Sequence, residues 1–235
     1  MFSYLRDRFL ANVNENNRQV WLGAVLGKIP KGHRILDAGA GELRNKPLCT
    51  HLDYVSQDFD EYTGIGDGKG LQKNKWDTSR VDIVCDITSI PEPDVSFDAI
   101  LCSEVLEHLP EPTKAIDEFA RLLKPGGYLI LTAPFASLVH FAPYHYCTGF
   151  SRYWYEYHLP LRGFKIPELS PNGDWFAYCR QEFMRLGSTA RRYGDWSWPL
   201  AYGLGVFGLF YFRLHGGRTA EDLACFGWHC IAEKE

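Results

Sequence analysis

The chain has no excess of basic residues: 25 Lys and Arg stand against 29 Asp and Glu among 235 residues, a net charge of -4. This balance argues against nucleic acid as the main partner, because a protein of that kind needs cations to neutralise phosphates. The sequence also has no internal repeat and no low-complexity linker. With 46% hydrophobic and 23% charged residues, it is predicted to fold as a globular domain rather than remain disordered.

A secretory signal and paired cysteines are also lacking. Charges interrupt the N-terminal MFSYLRDRFLANVNENNRQ before an apolar core can form. The 7 cysteines are odd in number and include no C-x-x-C pair, so a reduced, cytoplasmic location is expected. One strongly apolar stretch, WSWPLAYGLGVFGLFYF at 196–212, is short for a bilayer span. It is interpreted, in order of preference, as a buried helix, as a peripheral membrane or homo-oligomer contact, or as a membrane-crossing helix.

Short apolar runs alternate with helical or turn-forming segments over the first 135 residues. Five strands are predicted, at 34–36, 54–58, 81–86, 97–102 and 128–132, with helices at 12–26 and 112–123. Pro125-Gly126-Gly127 is expected to end the second helix. This alternation predicts an α/β fold with a parallel sheet covered on both faces. A ligand of such a sheet binds at the carboxyl ends of the strands.

The first strand leads into a glycine loop, Asp37-Ala38-Gly39-Ala40-Gly41-Glu42. Glycines at alternate positions let the backbone approach a ligand closely. A dinucleotide-binding turn would have a third glycine, but Arg44 stands in its place. The acids Asp37 and Glu42 would repel a pyrophosphate and would attract a cation such as a sulfonium or an ammonium group.

Two further acids follow the second and third predicted strands. Asp58 comes about 20 residues after the glycine loop, where a carboxylate accepts hydrogen bonds from ribose hydroxyls. Asp86 ends the third strand, where it could accept a hydrogen bond from the exocyclic amine of adenine, with Ile87 beside the ring. Each acid alone is equally well explained as a turn former. Together they indicate a site for an adenosine compound without phosphate.

The ordered motifs resemble those of class I S-adenosylmethionine-dependent methyltransferases. They are Asp37-Ala38-Gly39-Ala40-Gly41, Gln57-Asp58-Phe59, Cys85-Asp86-Ile87, Phe97-Asp98-Ala99-Ile100, Glu104-Val105-Leu106-Glu107-His108-Leu109 and Leu122-Leu123-Lys124-Pro125-Gly126-Gly127-Tyr128-Leu129. The resemblance covers about residues 30–135. It implies a Rossmann-like, seven-stranded, mostly parallel sheet with helices on both faces, and the segments 163–166 and 226–232 would supply the last two strands.

The resemblance also implies S-adenosyl-L-methionine as the cofactor and gives roles to individual residues. The methionine moiety would lie in the loop of Asp37, Gly39, Ala40 and Gly41. Asp58 would hold the ribose, and Phe59 would lie against the adenine. Asp86 and Ile87 would recognise the adenine. Ser103 and Glu104, after the fourth strand, would line the cofactor pocket.

An aromatic and histidine-rich segment follows the fifth strand and is expected to bind the methyl acceptor. His140 and His145 are candidate general bases for a hydroxyl acceptor, although either could be an ordinary packed histidine. Tyr144, Tyr146 and Trp154 are candidate acceptor contacts. No metal is expected, because the H-x4-H-x-C spacing that ends at Cys147 matches no standard zinc pattern. His108 is interpreted as local architecture.

The predicted organisation is a single methyltransferase domain over 1–235. It comprises an N-terminal helical segment (1–30), a cofactor-binding core (31–135), an acceptor-side insertion (136–215) and a final strand (216–235). The stretch 62–80 is longer than a typical connection and is either a flap over the cofactor or a surface loop. The turn Asn172-Gly173-Asp174-Trp175 is expected either to close the acceptor pocket or to be an ordinary turn.

The activity implied by the resemblance is O-methylation of a small-molecule or glycan-type acceptor, as in bacterial polysaccharide or natural-product pathways. A quinone or phenol, a carboxylate and a protein side chain are competing acceptors. DNA-base methylation is disfavoured, because Ser103-Glu104-Val105-Leu106 replaces the Asn-Pro-Pro-Tyr signature. A non-catalytic scaffold and a nicotinamide-dependent oxidoreductase are the alternatives outside the class. The intact acids argue against the first and Arg44 against the second.

Overall fold

The computed structural model describes residues 13–73, 75–214 and 220–235, except for the side chain of Arg213. The chain separates into two compact units. The larger comprises Val20–Ser170 and Gly227–Glu235, and the smaller comprises Met1–Gln19 and Pro171–Phe226. Residues 1–12 of the predicted helical segment (1–30) lie outside the described part of the chain. The second segment of the smaller unit begins at Pro171, well inside the predicted acceptor-side insertion (136–215). Residues 215–219 also lie outside the described part of the chain.

Seven strands form one sheet. They are β1 (Arg34–Ala38), β2 (Asp53–Asp58), β3 (Ile83–Val84), β4 (Phe97–Ser103), β5 (Leu123–Pro134), β6 (Phe164–Asn172) and β7 (Gly227–Lys234). Their order is β3-β2-β1-β4-β5-β7-β6. The pairs that join β3, β2, β1, β4 and β5 are parallel, and β7 is antiparallel to β5. The expected mostly parallel, Rossmann-like sheet is therefore confirmed, and its strand order reverses between β1 and β4.

Five α-helices are found in the described residues: α1 (Val13–Leu26), α2 (Pro112–Leu122), α3 (Arg152–His158), α4 (Trp175–Arg192) and α5 (Trp198–Arg213). The end of α1 covers one face of the sheet, where Leu22 and Leu26 pack with Ile35 and Leu101 in one buried cluster. Burial of each such side chain contributes about 1.5–3 kcal/mol.

The opposite face of the sheet is buried too. Leu36 and Ile100 alternate with the residues of the α1 cluster along β1 and β4, so they point to the other side. Both are completely buried. The crossover from β4 to β5 contains α2, whose Ile116 and Phe119 are also completely buried. Side chains on both faces of the central strands are therefore removed from water, as the continuous apolar runs predict.

Several predicted boundaries are wrong. The third strand contains only Ile83–Val84 instead of 81–86, because Asp82 is used as a hydrogen-bond acceptor for the Ser56 amide at 2.9 Å. The fifth strand begins at Leu123, directly after α2, so the Pro-Gly-Gly turn lies inside β5. The sixth strand extends to Asn172, and the seventh begins at Gly227. Between β1 and β2 the chain forms only a short 3₁₀ helix, Lys46–Cys49.

In the smaller unit, α4 and α5 form a tightly packed antiparallel pair. A Cβ atom at Gly187 would lie 2.4 Å from the Tyr202 ring, and one at Gly208 would lie 2.5 Å from the Phe183 ring. Glycine at these positions therefore lets the two helices approach closely. The predicted apolar stretch 196–212 corresponds to α5. Among the described residues, no helix is both long and apolar enough to cross a membrane.

The preferred interpretation of 196–212 as a buried helix is wrong for one face of α5. This face carries an apolar stripe at helical spacing whose side chains are between 47% and 84% exposed: Leu200, Leu204, Phe207, Tyr211 and Leu214. The turn before α5 exposes two more aromatic side chains, Tyr193 and Trp196. The glycine face of α5 contacts α4, whereas the side chains of the stripe are largely exposed.

Candidate functional site

The glycine loop leaves the carboxyl end of β1 at the point where the strand order reverses. Gly39 and Gly41 have φ values of 74° and 52°, a conformation that glycine adopts without strain. The Gly41 amide donates a hydrogen bond to Asp58 Oδ2 at 2.8 Å. A Cβ atom at Gly41 would lie 2.4 Å from the Trp76 ring, and one at Gly39 would lie 2.5 Å from Val105 Cγ2. The loop therefore has close neighbours from two other segments.

Asp37, the predicted ligand of the methionine moiety, is buried at the end of β1. Its carboxylate accepts a hydrogen bond from the Tyr54 hydroxyl at 2.7 Å. Burial raises the pKa of Asp37 from 3.8 to about 6, against the opposing effect of the Tyr54 and Asn45 hydrogen bonds. A buried carboxylate of this kind gains from a nearby cationic ligand, so its environment fits the ammonium or sulfonium group of S-adenosylmethionine.

Asp58, the predicted ribose ligand, lies at the end of β2 and is nearly buried. Its Oδ1 accepts from the Phe59 amide at 2.8 Å, and its Oδ2 accepts from the Gly41 amide. Burial raises the pKa of Asp58, although these amide contacts act in the opposite direction. Each carboxylate oxygen can accept a further hydrogen bond. Asp58 therefore ties the glycine loop to β2 and still fits a ligand that offers two hydroxyls.

Two other predicted cofactor contacts follow the short β3. Asp86 is exposed, and its carboxylate accepts hydrogen bonds from the amide of Thr88 at 2.8 Å and from its hydroxyl at 2.7 Å. This is an Asx turn, so the turn-forming role of Asp86 is present in the structure. Ile87 is buried. Contact of either residue with adenine stays a prediction.

Ser103 and Glu104 lie where β4 ends. The Ser103 hydroxyl is 2.9 Å from the Thr132 hydroxyl, and the Glu104 amide donates to the Thr132 carbonyl at 2.8 Å. Glu104 has a φ of 57°, which is uncommon for a residue with a side chain. Strain of this kind concentrates at functional sites. The loops after β1 and β4 therefore both contain residues with left-handed backbone, and both lie where the strand order of the sheet reverses.

A cluster of three histidines around a buried acid lies beyond the carboxyl ends of β4 and β5. The acid is Glu107, which is completely buried. Its Oε1 lies 3.7 Å from His108 Nε2 and 3.7 Å from His140 Nε2. The His145 ring centre is 4.9 Å from that of His140. We refer to His108, His140 and His145 together as the histidine cluster.

The charges in this cluster are unevenly distributed. Burial opposes ionisation of Glu107, but the contacts with His140 and His108 outweigh it and hold its pKa below the usual value. Burial likewise opposes protonation of His140, yet Glu107 raises the pKa of His140. Burial and the positive charge of His140 lower the pKa of His108 and of His145. Of the three imidazoles, His140 beside Glu107 therefore holds a proton most readily, and His108 and His145 hold one less readily than a free histidine does.

The predicted acceptor contacts are divided between two places. The Tyr144 ring meets the Phe59 ring edge-on at 5.0 Å, so a predicted acceptor contact touches a predicted adenine contact. Tyr146 is half exposed, and its amide donates to the Glu107 carbonyl at 2.9 Å. Trp154 lies on α3 and packs against Phe150 at 4.8 Å and against His158. The structure thus brings Tyr144 and Tyr146 to the histidine cluster and gives Trp154 different neighbours.

Loop 62–80 lies between the glycine loop and the histidine cluster. The Leu71 amide donates to the Val139 carbonyl at 2.9 Å, and the Phe141 amide donates to the Leu71 carbonyl at 3.2 Å. Trp76 of this loop packs on Gly41 and meets the Phe141 ring edge-on at 4.9 Å. Phe141 in turn lies 5.1 Å from the His108 ring. The loop therefore contacts both the cofactor-side and the acceptor-side segments.

Comparison with known proteins agrees with this geometry. The region 36–131, which holds the glycine loop, β2 to β4 and most of β1 and β5, matches the family described as a methyltransferase domain. This part of the chain is therefore similar to a methyltransferase domain. The class I S-adenosylmethionine-dependent methyltransferase fold expected from the motifs is confirmed, and S-adenosyl-L-methionine is the cofactor of this class.

The chain is similar to curated bacterial proteins over part of its length. The chain is 38% identical to a ubiquinone biosynthesis O-methyltransferase of Xanthomonas oryzae over 104 aligned residues. The aligned region covers 43% of each chain. It is 35% identical to the demethylmenaquinone methyltransferase of Clavibacter sepedonicus over 130 aligned residues. This aligned region covers 53% of this chain and 51% of the relative. The chain thus matches about half the length of these relatives, or less.

Solved structures share the fold of this chain at low sequence identity. The cyclase SpnF aligns with a TM-score of 0.58 and 20% identity, covering 93% of this chain and 80% of SpnF. Phosphoethanolamine N-methyltransferase 2 of Haemonchus contortus, in complex with S-adenosyl-L-methionine, aligns with a TM-score of 0.53 and 18% identity. That alignment covers 93% of this chain and 52% of the nematode protein. These likenesses concern the fold alone.

Three residues of this site are not singled out by the sequence. In the sequence, Glu107 stands out only as part of a motif, His108 is interpreted as local architecture, and Trp76 is one unremarked position of the stretch 62–80. An acid directly followed by histidine after a buried strand was a usable signal for the first two. Nothing in the sequence indicates that Trp76 would reach Gly41, because 34 intervening residues form the contact only in the folded chain.

Replacement of Asp37 by asparagine is expected to stabilise the cofactor-free protein. The folded state holds a proton on Asp37 that the unfolded chain releases near pH 3.8, so this group lowers stability progressively as pH rises through 4 to 6. The pKa rise corresponds to about 3 kcal/mol at pH 7.5 and about half of that at pH 5. Urea unfolding of wild type and Asp37→Asn at both pH values measures the gain. An equal gain at the two pH values would contradict the buried-carboxylate explanation.

Replacement of Asp58 by alanine is expected to weaken binding of S-adenosylhomocysteine by about 10- to 100-fold, because a hydrogen bond to a charged group contributes roughly 1.5–3 kcal/mol. Calorimetric titration measures the affinity. Asp53→Ala is the matched control, since Asp53 is an exposed acid on the same strand. Unchanged affinity in a folded Asp58→Ala variant would rule out the ribose role.

Proposed function

We propose that the protein is an S-adenosylmethionine-dependent O-methyltransferase whose acceptor hydroxyl lies between the glycine loop and the histidine cluster. Methyl transfer is an in-line displacement at the methyl carbon, so it needs alignment of the acceptor oxygen with the sulfonium. A hydroxyl acceptor must also lose its proton. The histidine cluster supplies the groups for that second requirement.

A single contact supports this proposal most directly: Gly39 of the glycine loop packs against Val105. Val105 lies two residues before Glu107 and three before His108. The cofactor-side loop and the start of the histidine cluster are therefore immediate neighbours. Imidazole groups next to the loop expected to hold the methionine moiety lie within reach of an acceptor placed in line with the methyl group.

The acceptor that we propose is a ring that carries a hydroxyl, of the phenol or hydroquinone class. Phe59 and Tyr144 present aromatic faces beside the cluster, and such faces favour planar ligands. A phenolic hydroxyl ionises near pH 10, so it yields its proton to an imidazole more readily than an aliphatic alcohol does. The names of the relatives, which include an O-methyltransferase of ubiquinone biosynthesis, point in the same direction.

The glycan-type acceptor expected from the sequence is the competing proposal, with a polysaccharide pathway as its setting. Its support is the aromatic surface around Tyr146, since aromatic faces with polar tips also bind sugars. An assay that offers both acceptor classes side by side separates the two proposals.

The test is transfer of a radiolabelled methyl group from S-adenosylmethionine to a panel of catechols and hydroquinones and to a panel of mono- and disaccharides. We expect labelled product only with the phenolic panel. His145→Ala is expected to lower turnover by about 100-fold or more and to leave the affinity for S-adenosylhomocysteine unchanged. His158→Ala, a histidine on α3, is the matched control.

Two results would overturn the proposal. Labelled sugar without labelled phenol would favour the glycan acceptor. Absence of S-adenosylhomocysteine binding would favour a scaffold role in place of catalysis.

We further propose that the apolar stripe of α5 contacts a lipid surface peripherally. Within the smaller unit, Arg191 and Arg192 end α4, and the Arg191 guanidinium lies 5.6 Å above the Trp198 ring. Cationic and aromatic residues next to an exposed apolar stripe match the interface of an anionic bilayer. A lipid-soluble hydroquinone would be found at the same interface.

Sedimentation with vesicles of phosphatidylglycerol and phosphatidylcholine tests this contact. Burial of each stripe side chain contributes about 1.5–3 kcal/mol, so Leu204→Asp/Phe207→Asp should lower vesicle binding by about 100-fold or more. Leu161→Asp, which replaces an exposed leucine of the larger unit, should bind like wild type. A stable dimer that the double variant abolishes, without vesicle binding by the wild type, would identify a second copy of the chain as the partner instead.

A further inference from the structure

The histidine cluster brings three imidazoles together from two separate segments of the larger unit. His108 follows β4, whereas His140 and His145 follow β5. One ring nitrogen from each residue lies within 4.8 Å of the other two. This cluster is not the His140, His145 and Cys147 set whose spacing matches no standard zinc pattern. Its third member is His108, which is distant in sequence, and not Cys147.

Backbone carbonyls orient two of the three rings. His108 Nδ1 lies 2.5 Å from the Tyr144 carbonyl oxygen, and His140 Nδ1 lies 2.9 Å from the Leu138 carbonyl oxygen. A carbonyl oxygen can only accept, so Nδ1 carries the proton in both rings and Nε2 is left as the ligand atom. A metal-binding histidine is held in this way by a hydrogen bond from its other ring nitrogen.

The third ring and the acid have no such partners. Both ring nitrogens of His145 are buried, and neither hydrogen-bonds to any residue that the structure describes. The same holds, within the described residues, for both carboxylate oxygens of Glu107. At 3.7 Å, the contacts of Glu107 with His108 and His140 are too long for hydrogen bonds. Buried polar groups without partners are costly, and a bound cation would compensate both of them.

We propose that His108, His140 and His145 bind one divalent transition-metal ion of the zinc or cobalt type, with Glu107 as the adjacent negative charge. Imidazole donors select these ions over magnesium and calcium, which prefer oxygen ligands. Three protein ligands leave a fourth position open, as in catalytic rather than structural zinc sites. Zn–N bonds of 2.0–2.1 Å place tetrahedral ligand atoms about 3.4 Å apart, so the rings close together on binding. His145, which has no hydrogen bond to hold it, moves most.

The proposal deepens the proposed function, on which its catalytic part rests. With the metal bound, the imidazoles act as its ligands in place of a general base: the acceptor hydroxyl takes the open position, where the metal ion promotes loss of its proton to solvent. The oxygen then forms a bond to the methyl carbon while the methyl–sulfur bond breaks. The electron pair of that bond stays on sulfur, so the products are the methyl ether and neutral S-adenosylhomocysteine.

The test is titration of the full-length protein, without a histidine tag and after dialysis against a chelator, with cobalt(II). We expect the visible absorption bands of a four- or five-coordinate ion, saturation at one ion per chain, and displacement by zinc. His145→Ala should weaken the apparent affinity by at least 100-fold, and Glu107→Gln should weaken it by 10- to 100-fold. His158→Ala should bind cobalt like wild type.

Equal cobalt binding by wild type and His145→Ala would overturn the proposal, as would the absence of the absorption bands in wild type. Titration of the same samples with S-adenosylhomocysteine reports whether each variant is folded. It also separates the two hypotheses. Methyl transfer without metal binding refutes the metal site alone, whereas metal binding without affinity for S-adenosylhomocysteine refutes the methyltransferase proposal alone.

Discussion

The parallel pairing of β1 with β4 is the constraint on which the site depends. The strand order reverses between these two strands, so the chain leaves their carboxyl ends in opposite directions. The glycine loop follows β1, and the Glu107–His108 segment follows β4. Because the two strands are hydrogen-bonded neighbours, the segments that follow them are also neighbours, and Gly39 can pack against Val105. The proposed cofactor and acceptor sites adjoin for this reason.

Electrostatics divide the site into two halves with different properties. On the cofactor side, Asp37 and Asp58 are buried carboxylates whose pKa values are raised chiefly by burial. On the acceptor side, Glu107 is buried more completely, yet its pKa is lowered because two imidazoles face it. The first half is suited to a cationic ligand. The second half already places imidazoles against its carboxylate, and it is better suited to proton exchange or to binding a metal ion.

Much of the cofactor side could be predicted because its signals are local. The glycine loop and Asp58 are short motifs at strand ends, and the alternation of apolar runs places them on one edge of the sheet. Asp86 was less predictable, since β3 is only two residues long and the carboxylate forms a turn with Thr88. The acceptor side depends on contacts distant in sequence. His140 and His145 could be proposed from their residue type, but their convergence on Glu107 and His108 requires the tertiary fold.

Loop 62–80 has a thermodynamic consequence. Trp76 contacts Gly41 on one side and the Phe141 ring on the other, and Phe141 lies against His108. A displacement of this indole by one ligand therefore changes the surroundings of the other. If binding of the cofactor changes the affinity for the acceptor by some factor, thermodynamic linkage requires a reciprocal effect. Binding of the acceptor must then change the affinity for the cofactor by the same factor. One tryptophan thus joins the two parts of the sheet edge to which the proposed cofactor and acceptor belong.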